Sequence, residues 1–438
     1  MNKNHWNGKL WYAYGTSMTA QCETEPERGN YVETVAALSG LRLVNKAKGG
    51  ACLTPDGWGK GDNLPRVMCT DDGKCDADLI TLEVLPNEGK TIGDIFDRDD
   101  KSICGCLNRA IAYLQENTRA QIVLILMIRG NTHPAEEPIE GYDHSNYELA
   151  VKAEQVARLN GIPCINAFLD AGFGYERVKA RDYQLDQIHL NKLGGKIMGN
   201  FIWSKLKDIP LWMPEERPIL REKSHWNDKL WYAYGTSLTA QQPIAEPLRG
   251  NYVETVQEYS GMRLVNKGQG GFGLTPDGWG KCRNKPIIMN LDDGKCDADL
   301  ITVEVLPNEG KVAGEIFDTC DETVCGAVNQ VIRYLQKNTR AQIVLIVMIL
   351  TNKVTADEPI AEGYGYSGYE IATKIEQVAR LNGIPCINTF LDSGFGYERV
   401  KNHEYQLDHI HLNKLGGRIM GDFVWSKLKN IPLWMPEV

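Results

Sequence analysis

Serine and histidine side chains recur at matching positions in this chain, and together they could carry out nucleophilic chemistry. Ser17 ends the stretch LWYAYGTS, and Ser237 ends an identical stretch. Four of the eight histidines have a histidine counterpart in the other half of the chain: His5 with His225, and His189 with His411. The first of these pairs precedes the first predicted strand, so His189 and His411 are the candidate bases. A serine hydroxyl becomes an effective nucleophile when a neighbouring imidazole takes its proton.

The sequence segments that surround these side chains also occur twice in the chain. The stretch GNYVET at 29–34 returns at 250–255, and TPDGWG at 54–59 returns at 275–280. A repeat of this length is far too long for a solenoid unit, so it indicates duplication of a whole domain. We predict one domain over 1–214 and a second over 225–438, joined by a charged linker at 215–224 that contains Pro218. We also expect the two halves to dock on each other.

Short apolar runs typical of strands alternate with stretches of helical spacing in each half. In the first half the predicted strands are 11–14, 41–45, 79–85, 122–128 and 162–167, and the predicted helices are 31–38, 103–115, 147–159 and 193–206. Strands separated by helices favour parallel pairing with helices on both faces. The fold class predicted is therefore α/β, with two three-layer α/β/α domains that each hold a sheet of about five parallel strands.

Polar and glycine residues follow the predicted strands, at the sheet edge where open α/β folds place their chemistry. The second strand runs into a glycine pair ending at Gly50, which allows a tight turn with accessible N–H groups. The third strand is followed by Asn87, and the last strand by the segment that holds His189. Each of these residues alone could equally be a helix cap or a turn former.

Taken together, these segments resemble the four sequence blocks of the SGNH hydrolases, also called GDSL-type esterases. Residues 15–17 are similar to the first block, 45–50 to the second, Asn87 to the third, and Asp186 with His189 to the last. The second half shows the same blocks at Ser237, Gly271, Asn308, Asp408 and His411. Two positions depart from the family pattern: Thr16 stands where aspartate is usual, and Leu85 stands where a glycine normally precedes the asparagine by two.

The resemblance implies a flavodoxin-like sheet and a Ser-His-Asp triad in each half. The implied catalytic residues are Ser17, Asp186 and His189, with Ser237, Asp408 and His411 in the second half. In such a triad the imidazole takes the serine proton, and the carboxylate holds its tautomer and stabilises its cation. The implied oxyanion-hole donors come from the serine itself and from Gly50 and Asn87, with Gly271 and Asn308 as their counterparts.

Two loop tryptophans, Trp58 and Trp279, lie just past the second block. Each either stacks on a sugar or acyl group at the mouth of the site or packs as a lid over the domain.

Composition excludes several other classes of function. The net charge of −9 is unsuited to binding nucleic acid, which needs a basic face. No apolar run approaches the ~20 residues needed to span a bilayer. We expect no cofactor and no metal, because the cysteine pairs Cys69 with Cys75 and Cys104 with Cys106 lack a matching cluster of ligands. The start MNKNHWNGKL lacks an apolar signal segment, so the chain is expected in the cytoplasm, or outside the cell if a signal was removed earlier.

Three functions fit these features. The first is a serine esterase acting on short acyl esters, including O-acetyl groups on carbohydrates. The second is an acyltransferase of the same fold, which would keep water from the acyl-enzyme. The third is a non-catalytic carbohydrate-binding or scaffold protein, which the paired serine, histidine and aspartate residues disfavour because a binding module needs no general base.

Overall fold

The chain folds into two compact units. The computed structural model describes residues 4–20, 29–68, 75–85, 87–128, 133–179, 182–215, 218–240, 250–271, 273–278, 284–289, 296–306, 308–348, 352–402 and 404–435. Unit 1 spans Met1–Met213 and unit 2 spans Pro214–Val438.

Each unit is built on a five-stranded sheet. The strands of unit 1 are β1 Leu10–Tyr14, β2 Arg42–Asn45, β3 Leu79–Val84, β4 Gln121–Leu126 and β5 Cys164–Asn166. Those of unit 2 are β6 Leu230–Tyr234, β7 Arg263–Asn266, β8 Leu300–Val305, β9 Gln342–Val347 and β10 Cys386–Asn388. The orders are β2-β1-β3-β4-β5 and its counterpart β7-β6-β8-β9-β10, and all described pairings are parallel. This is the flavodoxin-like order, so the predicted fold class is confirmed.

Helices lie between successive strands and after the last strand of each unit. In unit 1 they are α1 Ser17–Ala20, α2 Tyr31–Ser39, α3 Asn63–Val67, α4 Ile103–Asn117, α5 Asn146–Leu159, α6 Ala167–Asp170, α7 Tyr175–Val178 and α8 Lys192–Leu206. In unit 2 they are α9 Ser237–Ala240, α10 Tyr252–Ser260, α11 Asn284–Met289, α12 Val324–Asn338, α13 Gly368–Leu381, α14 Thr389–Asp392, α15 Tyr397–Val400 and α16 Lys414–Leu428.

The sheet of unit 1 buries both of its faces. Along β4, Ile122, Leu124 and Leu126 pack in one cluster with α4 and α5, whereas Val123 and Ile125 pack in another with α2 and α8. Successive strand side chains point to opposite faces, which explains why residues 122–126 of β4 are apolar at every position rather than alternating. These two clusters are the filling of a three-layer α/β/α sandwich.

Local signals in the sequence place the long helices. Ser145 and Glu148 form a capping box at the start of α5, in which each side chain accepts a hydrogen bond from the other residue's N–H. Gly40 ends α2 in the left-handed conformation, where glycine is favoured. The predicted strands and long helices of unit 1 agree with the structure to within a few residues. The four-residue helices, α1 among them, escape prediction because one turn shows no periodicity.

Among the described residues, no helix is both long and apolar enough to cross a membrane.

Candidate active site

Ser17 stands at the carboxyl end of β1, where it begins α1. Gly15 and Thr16 form the turn between the two elements. A Cβ on Gly15 would lie 2.4 Å from the Glu83 Oε2 and 2.7 Å from the Thr19 hydroxyl, so a larger residue would clash there. The turn brings the serine to the edge of the sheet at which parallel strands end and ligands commonly bind.

His189 lies between Ser17 and Asp186. Its Nε2 is 2.8 Å from the Ser17 Oγ, and its Nδ1 is 2.7 Å from the Asp186 Oδ2. The serine and the histidine are distant in sequence, and the fold brings them into hydrogen-bonding distance. A hydroxyl, an imidazole and a carboxylate in this chain can transfer a proton from the serine to the histidine.

Unit 2 repeats this geometry with its own residues. The His411 Nε2 is 2.8 Å from the Ser237 Oγ, and the His411 Nδ1 is 2.7 Å from the Asp408 Oδ2. The structure therefore brings the predicted serine, histidine and aspartate together in both units.

A short turn before α8 presents the histidine. The Asp186 Oδ1 accepts the N–H groups of Ile188 and His189, at 2.7 Å each, so the aspartate closes its own turn. Leu185 donates its N–H to the His189 carbonyl at 2.8 Å, and Asn191 then caps α8 by accepting the Gly194 N–H. The histidine is thus held from both sides, by the aspartate turn and by the start of a helix.

The aspartate of each set is held in its ionised form. Partial burial alone would raise the pKa of Asp186, but the hydrogen bond to the His189 ring and the two backbone N–H donors outweigh it, so the net pKa lies below the ordinary value. The pKa of Asp408 is lowered in the same way by His411 and Ile410. An ionised carboxylate can orient the imidazole and stabilise its cation.

A buried glutamate, which the sequence patterns did not single out, bonds the turn that carries Ser17. Glu83 is fully buried on β3, and its carboxylate accepts the Thr16 N–H at 2.7 Å and the Thr19 hydroxyl at 3.0 Å. Burial raises the pKa of Glu83 to about 7, although its hydrogen bonds act in the opposite direction. A signal was available, because one glutamate interrupts the apolar run LITLEV.

Gly50 and Asn87 lie on two loops that are tied to each other and to the serine turn. Gly50 has φ +75°, a left-handed conformation that favours glycine. The Asn87 side-chain amide donates to the Ala51 carbonyl at 3.2 Å, and Lys48 donates its N–H to the Gly15 carbonyl at 3.1 Å. In unit 2, Gly271 also has φ +75°, and Asn308 follows β8 as Asn87 follows β3.

A second buried glutamate joins these loops. Glu88 follows Asn87, and its carboxylate accepts the N–H groups of Leu53 and Thr54 from the loop that begins after Gly50. In unit 2, Glu309 accepts the N–H of Leu274 at 2.8 Å in the same way. The carboxylate therefore fixes the spacing between the glycine loop and the asparagine loop.

Leu85 and Leu306 adopt left-handed backbone conformations, with φ values of +117° and +63°. Both are fully buried, and both stand where the resembled family has a glycine. Positive φ in a bulky residue costs of the order of 1–3 kcal/mol and persists only when the surrounding structure enforces it. The backbone shape that a glycine would favour is thus kept here, beside the asparagine, at an energetic cost.

Trp58 is 82% exposed, so it is no packing lid. Its indole Cδ1 lies 3.4 Å from the point where a Cβ on Gly50 would stand. The backbone N–H of Trp58 donates to the Asn87 carbonyl at 2.9 Å. The ring is therefore open to solvent beside Gly50, while the Trp58 backbone is tied to the asparagine loop. Trp279 lies outside the described residues.

The remaining paired histidines have a structural place away from the serines. The His5 Nε2 lies 2.8 Å from the Ile209 carbonyl, and the His225 Nε2 lies 2.7 Å from the Ile431 carbonyl. Within the described part of the chain, no group of three or more histidine, cysteine or carboxylate side chains is arranged to hold a metal ion.

Comparison with known proteins gave matches only among solved structures. No protein-family model matches the chain, and no curated protein matches it. One similar structure is a Lactobacillus plantarum protein, at 21% identity over 48% of this chain and 100% of its own, with a TM-score of 0.39. Another is a Parabacteroides merdae protein described as a GDSL-like lipase, at 14% identity over 47% of this chain and 98% of its own, with a TM-score of 0.36. A catalytic variant of an acetylxylan esterase from Geobacillus stearothermophilus matches at 12% identity over 49% of this chain and 100% of its own, with a TM-score of 0.32.

Proposed function

We propose that the protein is a serine esterase with one active site in each unit, which hydrolyses short acyl esters. The observation that carries the proposal is the Ser17–His189–Asp186 chain, with joining distances of 2.8 and 2.7 Å, and its repetition at the same distances in unit 2. Turn formation by Asp186 explains its bonds to backbone N–H groups, but it does not explain a histidine ring placed between that carboxylate and a serine hydroxyl.

The proposed reaction proceeds by acyl transfer to the serine. The His189 Nε2 takes the Ser17 proton as the Oγ attacks the ester carbonyl, and Asp186 stabilises the imidazolium that forms. The histidine then gives the proton to the leaving alcohol, which departs as the serine ester forms. Water attacks that ester with the same histidine as base, which releases the acid and restores the serine.

The oxyanion of each tetrahedral intermediate needs preorganised donors. We assign this role to the N–H groups of Ser17 and Gly50 and to the Asn87 amide, with Ser237, Gly271 and Asn308 in unit 2. The loop contacts made by Ala51 and Glu88 support the assignment because they hold these donors in place before the substrate arrives. Loss of one such donor typically lowers kcat ~100- to 1000-fold.

Hydrolysis of p-nitrophenyl acetate tests this proposal. We expect the wild-type protein to release nitrophenol and the double variant Ser17→Ala/Ser237→Ala to release it only at the uncatalysed rate. A matched control is Ser204→Ala, which removes an exposed hydroxyl that bonds only within α8 and should leave the rate unchanged. Equal rates for the wild type and the double variant would refute the triads. A fluorophosphonate probe should label Ser17 and Ser237 in the wild type and neither position in the double variant.

Trp58 is the proposed substrate contact of unit 1, because its exposed ring stands beside Gly50. An aromatic face of this kind suits the ring of an acetylated sugar. In the Ser237→Ala background, Trp58→Ala is expected to raise KM for an acetylated xylo-oligosaccharide several-fold with kcat nearly unchanged. An unchanged KM would remove the tryptophan from the substrate site.

A further inference from the structure

The Glu83 carboxylate accepts hydrogen bonds from residues on both sides of Ser17. Its Oε2 accepts the Thr16 N–H at 2.7 Å, the Thr16 hydroxyl at 3.0 Å and the Thr19 hydroxyl at 3.0 Å, and its Oε1 lies 3.1 Å from the same Thr16 hydroxyl. Thr16 directly precedes the serine, and Thr19 follows it by two residues. Ser17 therefore lies between two residues that bond the same carboxylate, an arrangement that we call the carboxylate clamp.

Unit 2 builds the same clamp. Glu304 accepts the Thr236 N–H at 2.6 Å, the Thr236 hydroxyl at 2.8 Å and the Thr239 hydroxyl at 2.9 Å. These residues bracket Ser237 as their counterparts bracket Ser17.

The clamp extends to α2 through a tyrosine. The Thr19 hydroxyl lies 2.6 Å from the Tyr31 hydroxyl, and the Thr239 hydroxyl lies 2.8 Å from the Tyr252 hydroxyl. An ionised carboxylate only accepts hydrogen bonds, so Thr19 donates to Glu83 and has its lone pairs left to accept from Tyr31. With the glutamate ionised, the hydroxyls of Thr16 and Thr19 both donate to it.

We propose that Glu83 and Glu304 are positioning residues, which hold the proposed nucleophiles at the distance from His189 and His411 that proton transfer requires. This role rests on the proposed esterase function. Burying a carboxylate is costly, and an apolar side chain would fill a strand position more favourably if packing alone mattered. The site retains the carboxylate in both units, at the one place where it bonds the residues flanking the serine.

Variants of unit 1 in the Ser237→Ala background test the role. Glu83→Ala leaves the buried Thr16 N–H without its acceptor, and a displacement of about 1 Å at a reacting group costs roughly 100-fold in rate. We expect kcat for p-nitrophenyl acetate to fall by about that factor while KM changes little. Glu83→Gln still offers an oxygen to the Thr16 N–H and an amide N–H to its hydroxyl, so it should recover most of kcat.

The matched control is Thr81→Val. Thr81 is buried on the same strand, two residues before Glu83, and its hydroxyl accepts the Trp11 indole N–H at 2.9 Å. This variant loses a buried hydrogen bond on β3 away from the serine turn, so it should lower thermal stability and leave kcat unchanged. If Thr81→Val lost as much kcat as Glu83→Ala, the loss would reflect general damage to β3, and the positioning role of Glu83 would be overturned.

The possible outcomes separate the two proposals. If the Ser237→Ala parent is no more active than Ser17→Ala/Ser237→Ala, the esterase function of unit 1 fails, and the positioning role of Glu83 fails with it. If the parent is active and Glu83→Ala keeps its kcat, only the positioning role is overturned. Should Glu83→Ala fail to fold, Glu83→Met keeps a side chain of similar length but offers no carboxylate to the Thr16 N–H, and an unchanged kcat there overturns the role.

Discussion

At the scale of single residues, the site combines one carboxylate whose pKa is lowered with another whose pKa is raised. Asp186 is half-exposed, and its donors lower its pKa. Glu83 is fully buried, and desolvation raises its pKa to about 7 despite several donors. The first carboxylate is therefore ionised and able to stabilise a cation. Ionisation of the second, above neutral pH, lowers the stability of the folded protein.

This difference predicts a pH dependence of stability. The folded protein holds the Glu83 proton more tightly than the unfolded chain, because burial raises the folded-state pKa from 4.5 to about 7. The free energy of unfolding should therefore be greatest below about pH 4.5 for this group and should fall as the pH rises towards about 7. Urea unfolding of unit 1 variants at pH 5 and pH 8 measures the effect, with Glu83→Gln expected to show the smaller decrease.

Burial also raises the pKa values of Glu304 and Glu309 to about 7. The Glu83→Gln substitution therefore removes only one of several contributions to the pH dependence of stability. If the variant and the wild type lost stability equally between the two pH values, Glu83 would not be the titrating group.

At the scale of elements, each member of the site is delivered by the end of a strand or the start of a helix. β1 and α1 present Ser17, the loops after β2 and β3 present Gly50 and Asn87, and the turn before α8 presents His189. Strand ends in a parallel sheet share one edge, which is why segments far apart in sequence converge there.

The cap of α8 should therefore affect catalysis as well as stability. Asn191 lies two residues after His189. Its Oδ1 accepts the Gly194 N–H at 2.9 Å, and its Nδ2 donates to the Asp182 carbonyl at 2.8 Å. Replacing an asparagine N-cap by alanine costs ~1 kcal/mol. In the Ser237→Ala background we expect Asn191→Ala to lower both the thermal midpoint and kcat, whereas Asn200→Ala, on the exposed side of the same helix, should change neither. A normal kcat in Asn191→Ala would mean that the aspartate turn alone holds the histidine.

At the scale of the whole molecule, each unit contains its own sheet, core and set of site residues. Nothing in the contacts that join serine, histidine and aspartate crosses from one unit to the other. The loops differ in detail, since Lys48 forms an ion pair with Asp62 beside Gly50, whereas Gln269 stands at the matching position in unit 2. The two proposed sites therefore differ in the charge carried by the glycine loop.

The single serine variants should reveal this independence. Ser17→Ala and Ser237→Ala are each expected to keep part of the wild-type rate, and the two partial rates should add up to the wild-type value because sites without shared partners act independently. Rates for p-nitrophenyl esters of several acyl lengths would show whether the two units differ in preference. Complete loss of activity from one substitution would mean that one unit is silent.

Local patterns in the sequence determine much of this protein. Apolar runs, caps and glycines predict the parallel sheet and its long helices, and the repeat predicts two domains. Strand-end chemistry, together with the block resemblance, predicts which serine, histidine and aspartate residues lie together. These features are readable because each depends on neighbouring residues or on a rule about strand ends.

Only the tertiary structure decides the environment of those residues. The Glu83 carboxylate meets Thr16 across 67 positions of sequence, Leu85 is held at positive φ by its surroundings, and Trp58 turns out exposed rather than packed. Such outcomes depend on which long-range neighbours fill the space around a side chain, and therefore on burial, which sets both the pKa of a carboxylate and the cost of a strained backbone. The glutamate within LITLEV marks a buried charge in the sequence, but the sequence does not say which residues that charge bonds.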